Sequence, residues 1–401
     1  MKRQSLWLAS CLIILASTSQ LVNAQSSGIN VVTTAVPFLR INTDARAGGM
    51  GETGIATNPD AYSHFLNLAK TPFIKDKMSG AGLSYTPWLS DLGLNDVYLA
   101  SATGFYKIGD DDKQVLSLGL RYFSLGSIQF TDFNGNNLQA YRPREFGIDV
   151  GYSRKLSNKL AMGIALRYIN SDLAYGNLGG VNYQTGTAVA GDLSLFHNGL
   201  DATGQGLNWG ITLSNLGSKI GYTSDNQNKD YIPANLGLGL AYTKVYDESN
   251  KLTFALDLNK LLVPAAPVSS NTGNSTYDDS INTVNLSSYR NSSVISSWFK
   301  SFSDGQNQLS EVQASVGAEY TYDDQFMVRA GYFYEDKNKG NRQYFTAGVG
   351  LKYNFLGINF AYIIPSNSGV TRNPLSNTMR FSLLFDFENA DESTTGTASP
   401  K

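Results

Sequence analysis

The sequence predicts an all-β protein: a transmembrane antiparallel β-barrel of about 14 strands behind an N-terminal plug segment. Three observations predict it. Segment after segment of roughly ten residues alternates apolar residues with Gly, Ala, Ser and single charges, and ten residues is what a tilted strand needs to cross a bilayer. Tight turns alternate with long connectors along the chain, as they do when one end of a barrel faces the periplasm and the other the outside. Aromatic residues such as Tyr98, Tyr106, Tyr122, Tyr152, Tyr168, Tyr242 and Phe387 fall near strand ends, where interfacial girdles lie.

Taken in order, residues 1–24 read as a signal peptide. Lys2 and Arg3 precede an apolar run from Leu6 to Ala16, and Val22-Asn23-Ala24 offers a small-residue cleavage site. Cys11 after Leu8-Ala9-Ser10 resembles a lipoprotein box, but the apolar run continues past it. Cleavage after Ala24 would remove Lys2, Arg3 and no acid, so the mature charge becomes −4, with no basic patch for nucleic acid. It would also remove the one cysteine, excluding disulfide and thiol chemistry.

Residues 25–77 lack strand alternation, and a segment of that length before a barrel is expected to fold back into the lumen as a plug. Within it, Gly49-x-Gly51-x-x-Gly54 formally matches a dinucleotide fingerprint. That chemistry needs a strand before the glycines and a helix after them, and neither is evident, so tight turns explain them.

Strands follow near 79–88, 96–107, 114–125, 144–154, 159–170, 188–197, 207–216, 234–245, 251–260, 311–322, 325–335, 342–353, 355–364 and 377–387, within a barrel domain 78–388. Turns at Gly109 to Asp112, Lys155 to Asn158, Tyr246 to Asn250 and Tyr322 to Asp324 are tight, whereas 126–143, 171–187, 217–233 and 261–310 are long. An even strand count leaves both chain ends on the periplasmic side, and 389–401 forms a polar tail. No run beyond the signal approaches the ~18 apolar residues of a transmembrane helix.

The hairpin "FGIDVGYSRKLSNKLAMGIALRYI" assigns the faces. An Arg167 aimed at the bilayer midplane would cost about 2–4 kcal/mol and Asp149 somewhat less. The apolar set therefore meets outer-membrane lipid and the charged set points inward. The same rule puts Arg121, Arg167, Arg329 and Arg380 inside, with Glu145, Asp149, Asp192, Asp257, Glu319 and Asp386. Both signs occur in similar numbers, which favours an ion-pair network filling the interior over a one-sign ion pathway.

Catalytic signals are weak. The only histidines are His64, in the plug segment, and His197, at the end of the sixth strand beside a connector on the periplasmic side. A rim hydrolase acting on cell-surface substrates would need its histidine at the other end. Asp110-Asp111-Asp112 and "DFNGNN" at 132–137 read as solvated turns rather than calcium loops. No cofactor or metal motif remains, and an enzyme is not expected. The loop 261–310 is polar, but "SSVISSWFKSF" places Val294, Ile295, Trp298, Phe299 and Phe302 on one face of a short helix. That face either packs over the barrel mouth or docks a partner protein.

"DARAGGMGETGIATNPD", "GLSYTPWL", "LRYFSLGSIQFTDFNG", "EFGIDVGYSRKLS" and "ALRYINSDL" together resemble the PorV family of the type IX secretion system, within the wider group of FadL-like barrels. The resemblance covers most of the mature chain and is strongest from residue 40 to 175. It implies a fourteen-stranded barrel with a plug, and a cargo shuttle without catalysis. Such a shuttle would collect secreted proteins by their C-terminal signal domains at the translocon SprA and deliver them to the sortase-like PorU. "HFLNLAK", His64 to Lys70, departs from the Trp-Asn-Pro-Ala type of sequence expected there. The rival is transport of hydrophobic small molecules, with "INVVTTAVPFL", Ile29 to Leu39, lining a pocket.

Overall fold

The computed structural model describes residues 31–387 apart from 76, 110–111, 132–133, 179, 225–228, 268, 271, 273, 305–307, 365–374 and 376. The expected signal peptide and tail lie outside these residues, as do Asp110, Asp111 and the first part of 132–137.

Fourteen strands close into one antiparallel barrel. They are β1 (Ser79–Pro87), β2 (Val97–Ile108), β3 (Gln114–Leu125), β4 (Arg144–Lys155), β5 (Leu160–Asp172), β6 (Gly186–His197) and β7 (Gly206–Gly217), then β8 (Asn235–Val245), β9 (Asn250–Leu261), β10 (Val312–Tyr322), β11 (Phe326–Tyr334), β12 (Gln343–Tyr353), β13 (Leu356–Ile364) and β14 (Met379–Phe387). Each pairs with its neighbour in sequence, and β1 closes on β14 with Ser79 opposite Phe387. Closure leaves no backbone edge to desolvate in hydrocarbon.

The faces divide as the bilayer cost requires. Leu118, Val150, Leu166 and Val189 on alternate positions are 57%, 56%, 70% and 62% exposed, while Asp149 between them is 0% exposed. Greasy side chains reach outward to lipid and charges are sequestered. The Tyr85, Tyr98 and Tyr122 rings lie side by side near the long-loop end, at 5.4 and 6.2 Å between centroids, as part of an interfacial girdle.

The long connectors carry structure of their own. Short hairpins pair Ile128–Thr131 with Asn137–Tyr141, Gly176–Leu178 with Val181–Tyr183, and Ile220–Gly221 with Lys229–Asp230. The longest connector folds into two helices, Ser275–Asn291 and Val294–Lys300. The first was not evident from its sequence, which is rich in Ser, Thr and Asn. Its ends explain it: Asn274 accepts from the Tyr277 amide, and Lys219 Nζ donates to the carbonyls of Arg290 and Ser292 at 2.5 and 2.7 Å.

The segment before β1 lies inside the barrel. Val36, Phe38 and Leu39 pack with Val97, Phe123 and Ile169 at the long-loop end, whereas Phe73 packs with Phe196 and Ala161 at the short-turn end. The described part of the segment therefore runs from the long-loop end to the short-turn end, where β1 begins and β14 finishes.

Candidate functional site: the filled lumen and its outer mouth

The inserted segment is built from short elements with local caps. Asp44 accepts from the amides of Arg46 and Ala47 to start helix α1 (Ala45–Gly49). A second turn, α2 (Ser63–Leu66), leads to a 3-10 stretch, Leu68–Phe73, capped by Asn67. With so little regular structure of its own, the segment depends on the barrel wall.

That wall is cut to fit it. A Cβ on Gly331 would lie 2.1 Å from the Gly51 nitrogen, and one on Gly317 would lie 2.3 Å from the Met50 carbonyl oxygen. The glycines on the inner face are thus required by close backbone approach. Gly49 and Gly51 serve the same packing from the other side, whereas a Cβ on Gly54 would meet Leu66 of the segment itself. Gly51 sits in a turn at φ 68°, and the Gly54 and Ile55 amides donate to Asp257 Oδ2 at 2.7 and 2.9 Å. This is the geometry of a turn held by a carboxylate, and the dinucleotide match is a coincidence of spacing.

The structure brings the inward charges together in groups. Asp149 lies opposite Arg167 in the β4–β5 register and the two are ion-paired. Arg167 also reaches Asp192 at 2.8 Å, and Arg121 approaches Asp149 at 3.6 Å. A bulge at Gly191–Leu193 accompanies this group, with the Asn215 amide donating to Asp192 at 2.7 Å. Across the barrel, Glu319 lies opposite Arg329 and accepts from it at 2.6 Å.

Two of the remaining inward charges find partners on the inserted segment and two on the wall. Arg46 grips Glu319 at 2.7 Å and Asp60 at 3.1 Å, and Glu52 pairs with Arg380 at 2.7 Å. Glu145 accepts from Ser171 at 2.6 Å, and Asp386 pairs with Lys352 at 2.8 Å near the short-turn end. Arg46, Glu52 and Asp60 carry no strand pattern, so face-by-face reading of strands missed them.

Two buried bases belong to the segment itself. Burial lowers Lys70 to about 8, with Asp60 opposing, and its Nζ donates to the Gly54 carbonyl at 2.6 Å. Burial likewise lowers His64 to about 4, against the pull of Asp149. His64 abuts Gly119, where a Cβ would lie 2.5 Å from the ring. His197 stacks on Trp209 with centroids 5.4 Å apart at the short-turn end.

Above the segment, at the long-loop end, lies a cavity of about 560 Å³. Arg40, Arg121, Arg342 and Arg380 contribute to its wall, with Glu52 and Asp257 as acids and Phe38, Trp88 and Phe333 as apolar surface. Outside the mouth, the short helix Val294–Lys300 is tethered through Ser297, whose Oγ donates to the Tyr231 hydroxyl at 2.6 Å. Its apolar residues differ in burial. Val294 and Trp298 are half-buried, while Ile295, Phe299 and Phe302 are 63%, 74% and 48% exposed. The buried residue of this helix is Ser297, whose small side chain admits close approach to Tyr231. Phe302 lies under Lys260 Nζ at 5.4 Å.

Comparisons with known proteins fit this architecture. The family described as type IX secretion system protein PorV matches residues 23–268. Among solved structures, the CymD monoaromatic hydrocarbon channel is 11% identical, with a TM-score of 0.50 and coverage of 87% of this chain and 98% of that one. The Ralstonia pickettii toluene transporter TbuX is 13% identical at a TM-score of 0.49, covering 85% and 97%. A Pseudomonas aeruginosa FadL homologue is 11% identical at a TM-score of 0.44, covering 90% and 100%. At such identity the likeness concerns the fold alone. Comparison with curated protein sequences gives no match.

Proposed function

Because the chain belongs to the PorV family of the type IX secretion system, we propose that it is a non-enzymatic carrier in the outer membrane. It binds secreted proteins by their C-terminal signal domains at the translocon SprA and hands them to the sortase-like PorU for cleavage and surface attachment. The family match carries this reading. The filled lumen supports it: with the inserted segment in backbone contact with the wall at Gly317 and Gly331, protein contacts fall to the outer mouth and the external loops. Among these, the helix Val294–Lys300 offers Phe299 and Ile295 as exposed anchors for a partner, backed by Val294, Trp298 and Phe302.

Deleting the gene tests the reading. Cargo should accumulate with uncleaved C-terminal domains while general outer-membrane permeability stays nearly normal. Unchanged cargo maturation with reduced uptake of hydrophobic compounds would replace the carrier by a transporter. The transporter reading draws on the cavity, but the four arginines in its wall suit a charged ligand better than a hydrocarbon.

A further inference from the structure

Two parts of the molecule far apart in sequence meet on one residue of the connector 217–233. The Tyr231 hydroxyl accepts from Ser297 Oγ of the outer helix, Val294–Lys300, at 2.6 Å. It shares its own proton between the carbonyls of Tyr289 and Ser292 at 3.1 and 3.2 Å. Its ring packs edge-on against Tyr289, with centroids 5.3 Å apart, and Lys219 Nζ lies 4.2 Å from the ring centre. The backbone of the same residue serves the lumen. Its carbonyl accepts from the Ala35 amide of the inserted segment at 2.9 Å, and its neighbour Ile232 joins Val36, Phe38 and Leu39 in one buried cluster. Tyr231 is buried, so water does not replace either set of contacts when it is lost.

The end of the inserted segment held in this way is strained. Val36 has φ 46° and ψ 51°, a left-handed conformation that a β-branched residue adopts only under constraint. Such a conformation persists where the surroundings over-determine it. Here the constraint is the Ala35–Tyr231 hydrogen bond and the packing on Ile220 and Ile232, all supplied by the connector. Loss of that grip favours relaxation of Val36, which gives this end of the segment two states, seated and released. Deeper in the barrel the segment is held by separate means, among them the Thr346 hydrogen bonds to Gly49 and Gly51.

We propose that Tyr231 joins the outer helix and the outer end of the inserted segment into one switch, so that the helix holds Ile295 and Phe299 in fixed position only while that end is seated. This deepens the carrier reading by giving its docking surface a control: a partner meets an ordered surface only on a barrel whose mouth is closed. It rests on that reading for the identity of the surface and not for the coupling.

The test follows the coupling on the full chain in detergent, with no partner added. Single cysteines at Ser301 and Thr43, both buried, report the outer helix and the outer end of the segment, and one at Thr53 reports its deeper part. Tyr231→Phe removes only the hydroxyl, whose contacts lie on the helix side. It should speed maleimide labelling at Ser301 about fivefold, the loss of one net hydrogen bond, and at Thr43 by a similar factor, with Thr53 unchanged. Ala35→Pro removes the donor on the segment side and should in turn speed labelling at Ser301. Migration of the unheated barrel shows assembly, and where one variant fails to assemble the other decides. Acceleration at Ser301 alone in Tyr231→Phe, or at neither site, overturns the proposal. Equal acceleration at Thr53 marks general loosening and overturns it too, as does an Ala35→Pro barrel with Ser301 still protected. Failure here with Phe299→Ala still lowering partner recovery would leave the carrier reading standing. Normal recovery with Phe299→Ala would remove the docking surface and leave the labelling rates, and the coupling they measure, untouched.

Discussion

Replacing Gly331 by alanine should unseat the inserted segment while leaving the barrel closed. The added Cβ would sit 2.1 Å from the Gly51 nitrogen and 2.2 Å from the Met50 carbonyl carbon. Both are backbone atoms, so no side-chain rotation relieves the clash and the Met50–Gly51 turn must move. That turn is held by Thr346, which accepts from the Gly51 amide at 2.8 Å and donates to the Gly49 carbonyl at 3.0 Å. Overpacking costs about 1–3 kcal/mol, and the two hydrogen bonds contribute about 1 kcal/mol each. The seated state should therefore lose roughly 3–5 kcal/mol, a hundredfold or more in the fraction of time the segment is open.

A single cysteine at Thr53, fully buried in the seated segment, reports that opening through its reaction rate with a small maleimide. Gly104→Ala is the matched control, because its Cβ would face lipid with the nearest heavy atom at 3.5 Å. Gly331→Ala should accelerate labelling about a hundredfold over Gly104→Ala, with both barrels still resisting heat before electrophoresis. Equal rates in two assembled barrels would refute the claim that the inner glycines exist to seat the segment.

Three other outcomes follow from the same geometry. Cysteines at Asn134 and Ser275, both in long connectors, should label from outside intact cells, whereas one at Asp112, in a tight turn, should not. Strong external labelling at Asp112 would invert the orientation. His64 is favoured neutral in the seated segment, since its pKa of about 4 lies below the free value near 6.5. Seating is thus fully supported above pH 6.5 and weakens as pH falls toward 4; by pH 5 the loss is about 2 kcal/mol. Labelling of the Thr53 cysteine, normalised to an exposed thiol, should rise roughly thirtyfold from pH 7.5 to 5, and His64→Gln should flatten that rise. Phe299→Ala should reduce recovery of translocon, sortase or cargo by about thirtyfold, a hot-spot loss near 2 kcal/mol, without affecting barrel assembly. Trp298→Ala, being half-buried, should also loosen the helix, visible as faster proteolysis of the loop. Normal recovery with Phe299→Ala would remove this surface from the partner interface.

The strands were legible because two solvents imposed them. Hydrocarbon on one side penalises each outward charge, and a polar filling on the other accepts it, so Asp149 and Arg167 fixed the phase of β4 and β5 before any contact was known. Which charges pair, Asp149 with Arg167 and Glu319 with Arg329, took the cross-strand register that the structure supplies. The partners supplied by the inserted segment were not legible. Arg46, Glu52 and Asp60 stand in a stretch without period, and their positions depend on where a folded-back chain lands. The helix Ser275–Asn291 was hidden for a related reason. Its Ser-, Thr- and Asn-rich sequence has weak intrinsic propensity, and the decisive cap comes from Lys219, far away in sequence.

The glycines join these two levels. Read as a strand pattern, Gly119, Gly151, Gly317 and Gly331 describe a crowded lumen face and nothing more. Read against the structure, each marks a contact: Gly119 the His64 ring, Gly151 the Leu68 side chain, Gly317 and Gly331 the Met50–Gly51 turn. The wall therefore carries an imprint of its filling, one missing Cβ at a time. An imprint of that kind costs strand stability, since glycine weakens a strand interior, and it is worth that cost only if the segment stays seated. A barrel meant to pass solutes through its centre would gain nothing from so many close contacts. A barrel that offers its mouth and loops to other proteins gains a rigid floor beneath them.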